Sequence, residues 1–531
     1  MTGVLLVSIL AAIVALALLA KKLRVPYPVV FVLGGIALAL IPGVPAIELR
    51  PDLVFLLFLP ALIFGDGWTT DYPAFKRFYQ PIFMLAIGLV AFTSVIVAYV
   101  AHWLMGFPLA LGFVLGAILS PTDAVATDAI AEEVPLPRTL LTIISGESLV
   151  NDATGLVIYR FAVAAVLTGA FSLLDATLRF VYVVVAGVAV GLAVGWLIAK
   201  ISIAIRKAGL ADELILVSIS LVTPFALYVP ADAIGASGVL AAMAGGIYMS
   251  GKSSQIFDAD ARIAAAYTWN LLFFAFNGAA FVLIGLQLPA IVRALAPYSL
   301  ATVIGSSLVI ALAVILVRFV WMFPAAYGRR YLFPKIRESE GPDPPWQSIF
   351  VMSAAGMRGI VSLAAALALP EVIAPGVPFP QRSLILFVTF VVILVTLVGE
   401  GLALPWLIRR LGVTGDDEDE QAVAAARVQL AQAVRDHLHA LEPSFASPAE
   451  WEVAGRLHAH YELRVAHFTA HAGGTVPDGD AQQHEIERRL RREAYAAERR
   501  ALENLRHAGT VTDDLFRHLQ WDLDLAESQL G

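Results

Sequence analysis

The feature that most constrains this chain is the repetition of long apolar stretches through its first 410 or so residues. A run of about 20 apolar residues spans the hydrocarbon of a bilayer as a helix. Lipid offers no water to backbone N–H and C=O groups, so each stretch must close its hydrogen bonds within itself, and a helix does so. Thirteen stretches qualify: 3–20, 27–43, 52–65, 82–104, 108–128, 138–167, 178–203, 212–230, 234–250, 265–288, 298–325, 346–370 and 382–408. Hydrophobic residues make up 59% of the chain and charged residues 15%, against about 25% charged in an ordinary soluble domain. After Arg410 the pattern changes. An acidic run, Asp416 to Glu420, leads into a charged segment with helical patterns at 421–442, 448–472, 480–508 and 511–529, and with turn residues at Gly473–Gly479. The expected class is an all-α polytopic membrane protein over 1–410, followed by a soluble helical tail over 411–531.

Charge in the connections orients these helices. With the amino terminus outside, one side holds seventeen Lys and Arg, among them Lys21, Lys22, Lys76, Arg77, Lys335, Arg337, Arg409 and Arg410. The other side holds four, Arg50, Arg179, Arg293 and Arg382. Basic residues concentrate on the cytoplasmic side, so the tail is expected in the cytoplasm of a plasma-membrane protein. Positive charge follows the first stretch, Val4–Ala20, rather than preceding it, so that stretch is expected to be a retained helix and not a signal peptide. The net charge of −7 gives no reason to expect a nucleic-acid partner, and the absence of cysteine excludes disulfides, thiol catalysis and Cys-ligated metals. Thirteen helices divide into two six-helix units and a linker, which places the units in opposite orientation, as in the inverted repeats of secondary transporters. The fifth and twelfth stretches then correspond. Each has a polar interruption, Ser120-Pro121-Thr122-Asp123 in one and Met357-Arg358-Gly359 in the other, and paired interruptions mark a binding site near the membrane middle.

Ionisable residues inside spanning helices cost about 2.5–3.5 kcal/mol each on insertion scales and mark function. Asp66, Asp123, Glu147, Asp152 and Arg358 are of this kind. Arg160, Arg318 and Glu400 also fall in or near helices and read as snorkelling or structurally paired charges. Ser148 and Asp152 are four apart and share a helix face. A hydroxyl with a carboxylate offers hard oxygen ligands suited to Na+, K+ or Li+, without the nitrogen and sulfur that favour transition metals. Glu147 and Asn151 form a second such pair, turned about 100° away. Pro121 breaks its helix and frees carbonyls. Asp123 complements the positive helix ends exposed by the breaks and Arg358 the negative ones. Burial disfavours the charged form of a carboxylate, so such a site takes a proton, and a cation placed against it expels that proton. No G-x-x-x-x-G-K-[ST] phosphate loop is present, and the exchange needs none.

The chain resembles the NhaP-like and animal NHE-like sodium/proton exchangers of the monovalent cation/proton antiporter superfamily. The resemblance rests on Leu59-Pro60-Ala61-Leu62-Ile63-Phe64, Ser120-Pro121-Thr122-Asp123, Ser145-Gly146-Glu147-Ser148-Leu149-Val150-Asn151-Asp152, Phe276-Asn277-Gly278, Ile284-Gly285-Leu286-Gln287-Leu288-Pro289 and Arg358-Gly359-Ile360-Val361-Ser362-Leu363-Ala364, in that order. It implies a homodimer whose protomers each have a dimerisation domain and a six-helix core with two crossed, unwound helices, moving as an elevator. It implies that Asp152 carries cation and proton, and that Asp123, Ser148 and the Thr122 backbone oxygen complete the cation shell. Asp66 stands where some relatives have a Glu that meets the ion through water. Glu147 and Arg358 match a structural salt bridge. Asn151 fills a position where relatives with a second Asp are electrogenic, so the Asn implies electroneutral 1:1 exchange serving pH and sodium homeostasis. No cofactor is implied; the cargo is a monovalent cation and the proton, and the surroundings are membrane lipid.

Other readings stand beside these. Asn277 and Gln287 read as binding groups or, as is commoner for such residues, as interhelical hydrogen-bonding residues, and Gly187, Gly191 and Gly195 read as a close helix contact. Nine of the ten histidines lie in the tail. They read as a solvated helical surface or a pH sensor, and the spacing of His439, His458 and His460 makes no zinc motif. The choice among Na+, K+ and Li+ is open, and a K+/H+ antiporter is the alternative. A cation channel lacks support, since no carbonyl-filter motif such as T-V-G-Y-G occurs. A membrane sensor that no longer transports would not need the carboxylates. An enzyme is not expected, because His102 is the lone histidine of the apolar stretches.

Overall fold

The computed structural model describes residues 2–42, 54–131, 134, 136–169, 173–295, 298–332, 343–374, 376–413, 415, 417–472, 478–507, 515–516, 519–520 and 523–524. Arg50, Lys335, Arg337, Asp416, most of the Gly473–Gly479 turn and most of the expected helix 511–529 lie outside them. The chain separates into two compact units, Met1–Gly415 and Asp416–Gly531.

The first unit is built of helices: α1 (Thr2–Leu23), α2 (Tyr27–Ala39), α3 (Val54–Thr69), α4 (Tyr79–Met105), α5 (Leu109–Leu119), α6 (Ala124–Ala131), α7 (Arg138–Thr168), α8 (Leu173–Lys207), α9 (Glu213–Ala233), α10 (Gly238–Ser250), α11 (Ala259–Leu286), α12 (Leu300–Phe323), α13 (Trp346–Ala354), α14 (Ile360–Leu367) and α15 (Arg382–Leu411). Among the described residues, eight helical runs are long and apolar enough to cross a membrane, with the run through α5 and α6 counted once, and α2, α3 and α10 are shorter apolar helices. One connection departs from an all-helical chain. Val372–Ala374 pairs antiparallel with Val377–Pro378, and Gly376 between them takes φ +79°, which only glycine adopts without strain.

Two helices are broken where the sequence interrupts them. Pro121 lacks an N–H and its ring clashes with the preceding turn, so α5 ends at Leu119 and the helix resumes as α6 at Ala124. The second break, Ala355 to Gly359, separates α13 from α14. The two breaks meet, and the Asp123 N–H donates to Met357 O at 2.8 Å. Helix α7 crosses beside them, because Gly155 leaves room for the Pro121 ring; a Cβ there would run into it. Apolar side chains of α7 enter both large hydrophobic cores, Ile143 and Ile144 in one and Leu149, Val150 and Ala153 in the other. Gly187, Gly191 and Gly195 of α8 lie directly on the backbone of α10 at Ser237, Ala241 and Gly245, so that contact is internal to one chain.

The second unit contains α16 (Asp417–Leu441), α17 (Pro448–Ala472) and α18 (Asp478–His507). The sequence Ser447-Pro448-Ala449-Glu450 starts α17 as a capping box. The Glu450 carboxylate accepts from the Ser447 N–H at 2.8 Å, and Ser447 Oγ accepts from the Glu450 N–H at 3.3 Å.

Candidate functional site

At the crossing of the two breaks lies a cavity of about 40 Å³. A water needs roughly 10–15 Å³ of such space, so a small ion with part of its hydration fits. Its polar lining is Asp66 from α3, Thr122 and Asp123 from the first break, Ser148 and Asp152 from α7, Asn277 from α11 and Ser362 from α14. Lys, Arg and His are absent from its described lining. Asp66 is the solvent-exposed carboxylate of the three, whereas Asp123 and Asp152 are partly buried, so the mouth of the cavity is at Asp66. Helix α3 runs on to Thr69, which places Asp66 within the helix rather than at its end.

The first break is held by α7. Ser148 Oγ donates to Thr122 O at 2.9 Å and accepts from the Ala124 N–H at 3.1 Å. The Asn151 amide donates to Thr122 Oγ1 at 2.8 Å and to Thr122 O at 3.3 Å, and Thr122 Oγ1 donates to Glu147 Oε1 at 3.2 Å. The Asp123 carboxylate accepts from the Val125 N–H at 2.9 Å at the start of α6, where a negative charge suits the helix end. Gly359 closes over it, and a Cβ on Gly359 would overlap the Asp123 carboxylate.

The buried cations occupy other positions. The resemblance pairs Glu147 with Arg358, but the partner of Glu147 is Arg318 of α12. Two hydrogen bonds join them, one of them Arg318 Nη2 to Glu147 Oε2 at 2.9 Å, and each side chain is 2% exposed. Arg318 also donates through Nε to Met352 O at 3.1 Å, at the end of α13. The reason lies in the breaks themselves. Arg358 is drawn to the carbonyls they free, donating through Nε to Leu119 O at 3.2 Å and through Nη1 to Gly356 O. It therefore caps the carboxyl-terminal ends at both breaks, the negative ends of two helix dipoles. Glu400 of α15 is the nearby counter-charge to Arg358. Neither arginine lines the cavity. Arg160 lies further out and pairs with Asp232 at 3.4 Å.

The structure thus brings Asp66, Thr122, Asp123, Ser148 and Asp152 into one cavity, with Asn151 and Glu147 bound to Thr122 behind it. Asn277, which the sequence suggests as an interhelical contact, lines the cavity itself; its place between Phe276 and Gly278 in a shared motif is the signal that marks it. A second cavity, of about 360 Å³, lies toward the other ends of α3 and α7, bordered by Phe55, Leu156, Tyr159, Arg160, Tyr228 and Asp232.

Residues 8–410 match the family described as sodium/hydrogen exchanger, transmembrane. The chain is 36% identical over 411 residues to the sodium, potassium, lithium and rubidium/H(+) antiporter of Bacillus subtilis (strain 168), a likeness covering 76% of this chain and spanning 61% of that relative's length. It is 33% identical over 533 residues to an uncharacterized Na(+)/H(+) exchanger of Mycobacterium tuberculosis (strain ATCC 25618 / H37Rv), over 99% of this chain and 96% of the relative, so this likeness extends through the tail. The solved sodium proton antiporter MjNhaP1 from Methanocaldococcus jannaschii at pH 8 superposes with a TM-score of 0.54 at 19% identity, over 77% of this chain and 99% of that one. This is a likeness of fold.

Proposed function

Because this chain belongs to the sodium/hydrogen exchanger family, we propose that it is a secondary antiporter exchanging a monovalent cation for protons at the Asp152 cavity. The observation that carries this reading is a cavity with three carboxylates, further oxygen donors and no basic side chain in its described lining. Ionised carboxylates that share one cavity repel one another strongly where water is scarce. Two occupants relieve the repulsion: protons on the carboxylates, or an alkali cation between them. Both use the same oxygens, so they exclude each other.

In this reading Asp152 carries the exchange, and Asp123, Ser148 and Thr122 O complete the shell. Asp66 meets the ion at the mouth, directly or through water. Thr122 O already accepts two hydrogen bonds. Cation binding requires the Ser148 hydroxyl to turn its proton away, which leaves Thr122 O with the longer Asn151 bond alone and presents the Ser148 oxygen as a ligand. Asn151 adds no charge, which favours electroneutral 1:1 exchange, and transport rates are then insensitive to membrane potential. Na+ is the first cargo. The oxygen ligands also accept K+ and Li+, and the Bacillus subtilis relative's name includes both.

Competition becomes coupled exchange when only the loaded site changes sides. Thirteen crossings with the amino terminus outside put the carboxyl-terminal end of α3, and so the Asp66 mouth, on the cytoplasmic side. The Arg160 cavity, which Leu156 borders, then faces out. The bonds from Asp123 to Met357 and from Arg358 to Leu119 favour movement of both breaks as one body. This suits an elevator-like six-helix core that takes one broken helix from each of two inverted repeats and slides against the dimerisation domain of a plasma-membrane homodimer with a cytoplasmic tail, in the service of pH and sodium homeostasis.

The test is exchange by purified protein in proteoliposomes, with Na+, K+ and Li+ compared across pH. Wild type moves protons against an imposed cation gradient, and Asp152→Asn, folded and inserted, moves none. Normal exchange by Asp152→Asn refutes the assignment. Cation flux without proton counter-movement would establish a channel instead.

A further inference from the structure

The second unit holds a cluster that transport does not use. His439 lies in the last turn of α16, Glu442 follows in a short 3-10 turn, and His458 comes from α17. One ligand atom from each lies within 4.8 Å of the other two. His439 Nδ1 is 2.8 Å from Glu442 Oε1, and the two imidazole rings are 4.0 Å apart between centroids. His458 Nε2 is buried and has no hydrogen-bond partner among the described residues. A buried polar nitrogen without a partner is costly, and an electrophile at this point would satisfy it.

We propose that His439, Glu442 and His458 form a binding site for a divalent transition metal, Zn2+ in the first instance. Two imidazole nitrogens and one carboxylate oxygen suit Zn2+ and its neighbours. Ca2+ and Mg2+ prefer an all-oxygen shell. In a tetrahedral zinc site, ligands about 2.0–2.1 Å from the metal stand roughly 3.3 Å apart. The cluster reaches that spacing by opening the His439–Glu442 hydrogen bond slightly and drawing His458 in. Three protein ligands leave the fourth position to water.

The frame is already fixed on the α17 side. The Ser447–Glu450 capping box sets the start of that helix, and Phe445 packs edge-on against Trp451 with centroids 5.3 Å apart. Metal binding would cross-link the end of α16 to α17 and stabilise the hairpin by mass action. The sequence does not show this site, because His439 and His458 belong to different helices and fit no zinc spacing.

The test uses the full-length protein, purified with any polyhistidine tag removed and stripped with chelator, then titrated with Zn2+ or Co2+ alone. Wild type binds one Zn2+ per chain, and the Co2+ form shows the visible absorption of a low-coordinate site with nitrogen ligands. His458→Ala and Glu442→Gln weaken binding by more than about 100-fold, beyond the 10–100-fold that loss of an outer-shell partner costs. His460→Ala, on the same helix but outside the cluster, binds as wild type. Hydrogen exchange of the α16–α17 hairpin slows on Zn2+ addition in wild type and His460→Ala but not in His458→Ala or Glu442→Gln. The proposal is overturned if wild type binds Zn2+ no more tightly than His458→Ala, or if its Co2+ spectrum is that of the hydrated ion. The second outcome needs no variant to fold.

Discussion

The buried pair Glu147–Arg318 offers a sharp perturbation, because its geometry departs from what the family resemblance implies. Both side chains are 2% exposed, and they share two hydrogen bonds. Arg318→Met leaves the Glu147 carboxylate buried with the donor hydrogen bond of the Thr122 hydroxyl. It also takes the Arg318 Nε donor from Met352 O, which keeps the Ala355 N–H at 3.3 Å. Removing one partner of a buried pair costs about 3–5 kcal/mol, whereas replacing both partners by uncharged groups is often close to neutral. The double variant Glu147→Gln/Arg318→Met is therefore expected to be more stable than either single variant, with a coupling of at least about 3 kcal/mol. That is a factor of more than about 100 in the unfolding equilibrium. Arg358 donates to Leu119 O and Gly356 O rather than to Glu147, so the Glu147/Arg358 cycle is expected to give a coupling smaller by about 2 kcal/mol. The assay is a double-mutant cycle by reversible SDS unfolding of protein purified in mild detergent. Additive effects at Glu147 and Arg318, or the larger coupling at Glu147 and Arg358, would refute this reasoning.

Three further perturbations follow from the same coordinates. Gly359→Ala drives a Cβ into the Asp123 carboxylate, whereas Gly305 of α12 has open space around it; the first is expected to abolish exchange in a folded protein and Gly305→Ala to leave it near wild type, as read in proteoliposomes. In the tail, the N–H groups of Ser447 and Ala446 and then the Ser447 hydroxyl hold the Glu450 carboxyl below its usual range. A group with a depressed folded-state pKa contributes stability above its unfolded pKa and loses it as pH falls through the folded value; Glu450→Gln should therefore speed amide exchange at Ala446 and Ser447 at neutral pH, with the difference from wild type fading in acid. The chain contains no cysteine, so single cysteines report topology without background: in intact cells a membrane-impermeant maleimide should label Arg293→Cys directly and Ser254→Cys only after permeabilisation, and the reverse pattern would invert the orientation.

Much of the candidate site is legible in the sequence because it is written in local spacing. Pro121 announces its break through the chemistry of one residue. Ser148 and Asp152 announce a shared face through a separation of four. Asp123 and Arg358 stand out because charge is rare in apolar helices. What spacing does not carry is which distant groups meet. Arg318 lies 171 residues from Glu147, and nothing local marks it as the partner in preference to Arg358. The assignment depends on the carbonyls of Leu119 and Gly356, and these exist as acceptors only once both helices have broken and crossed. Asn277 is left undecided for the same reason, since an amide between helices and an amide facing a cavity look alike in a sequence. The strand pair at Val372–Pro378 is too short for a period of two to register. The metal-ligand geometry at His439, Glu442 and His458 arises only when α16 and α17 fold back on each other.

The most direct measurement is proton release on cation binding by purified protein in weakly buffered detergent solution, titrated with Na+, K+ or Li+ at fixed ionic strength. If hydrogen ion and alkali ion contend for the Asp152 oxygens, wild type frees about one proton for each cation taken up, and Asp152→Asn frees none. Saturable cation binding that releases no proton from wild type, or equal release from Asp152→Asn, contradicts the account.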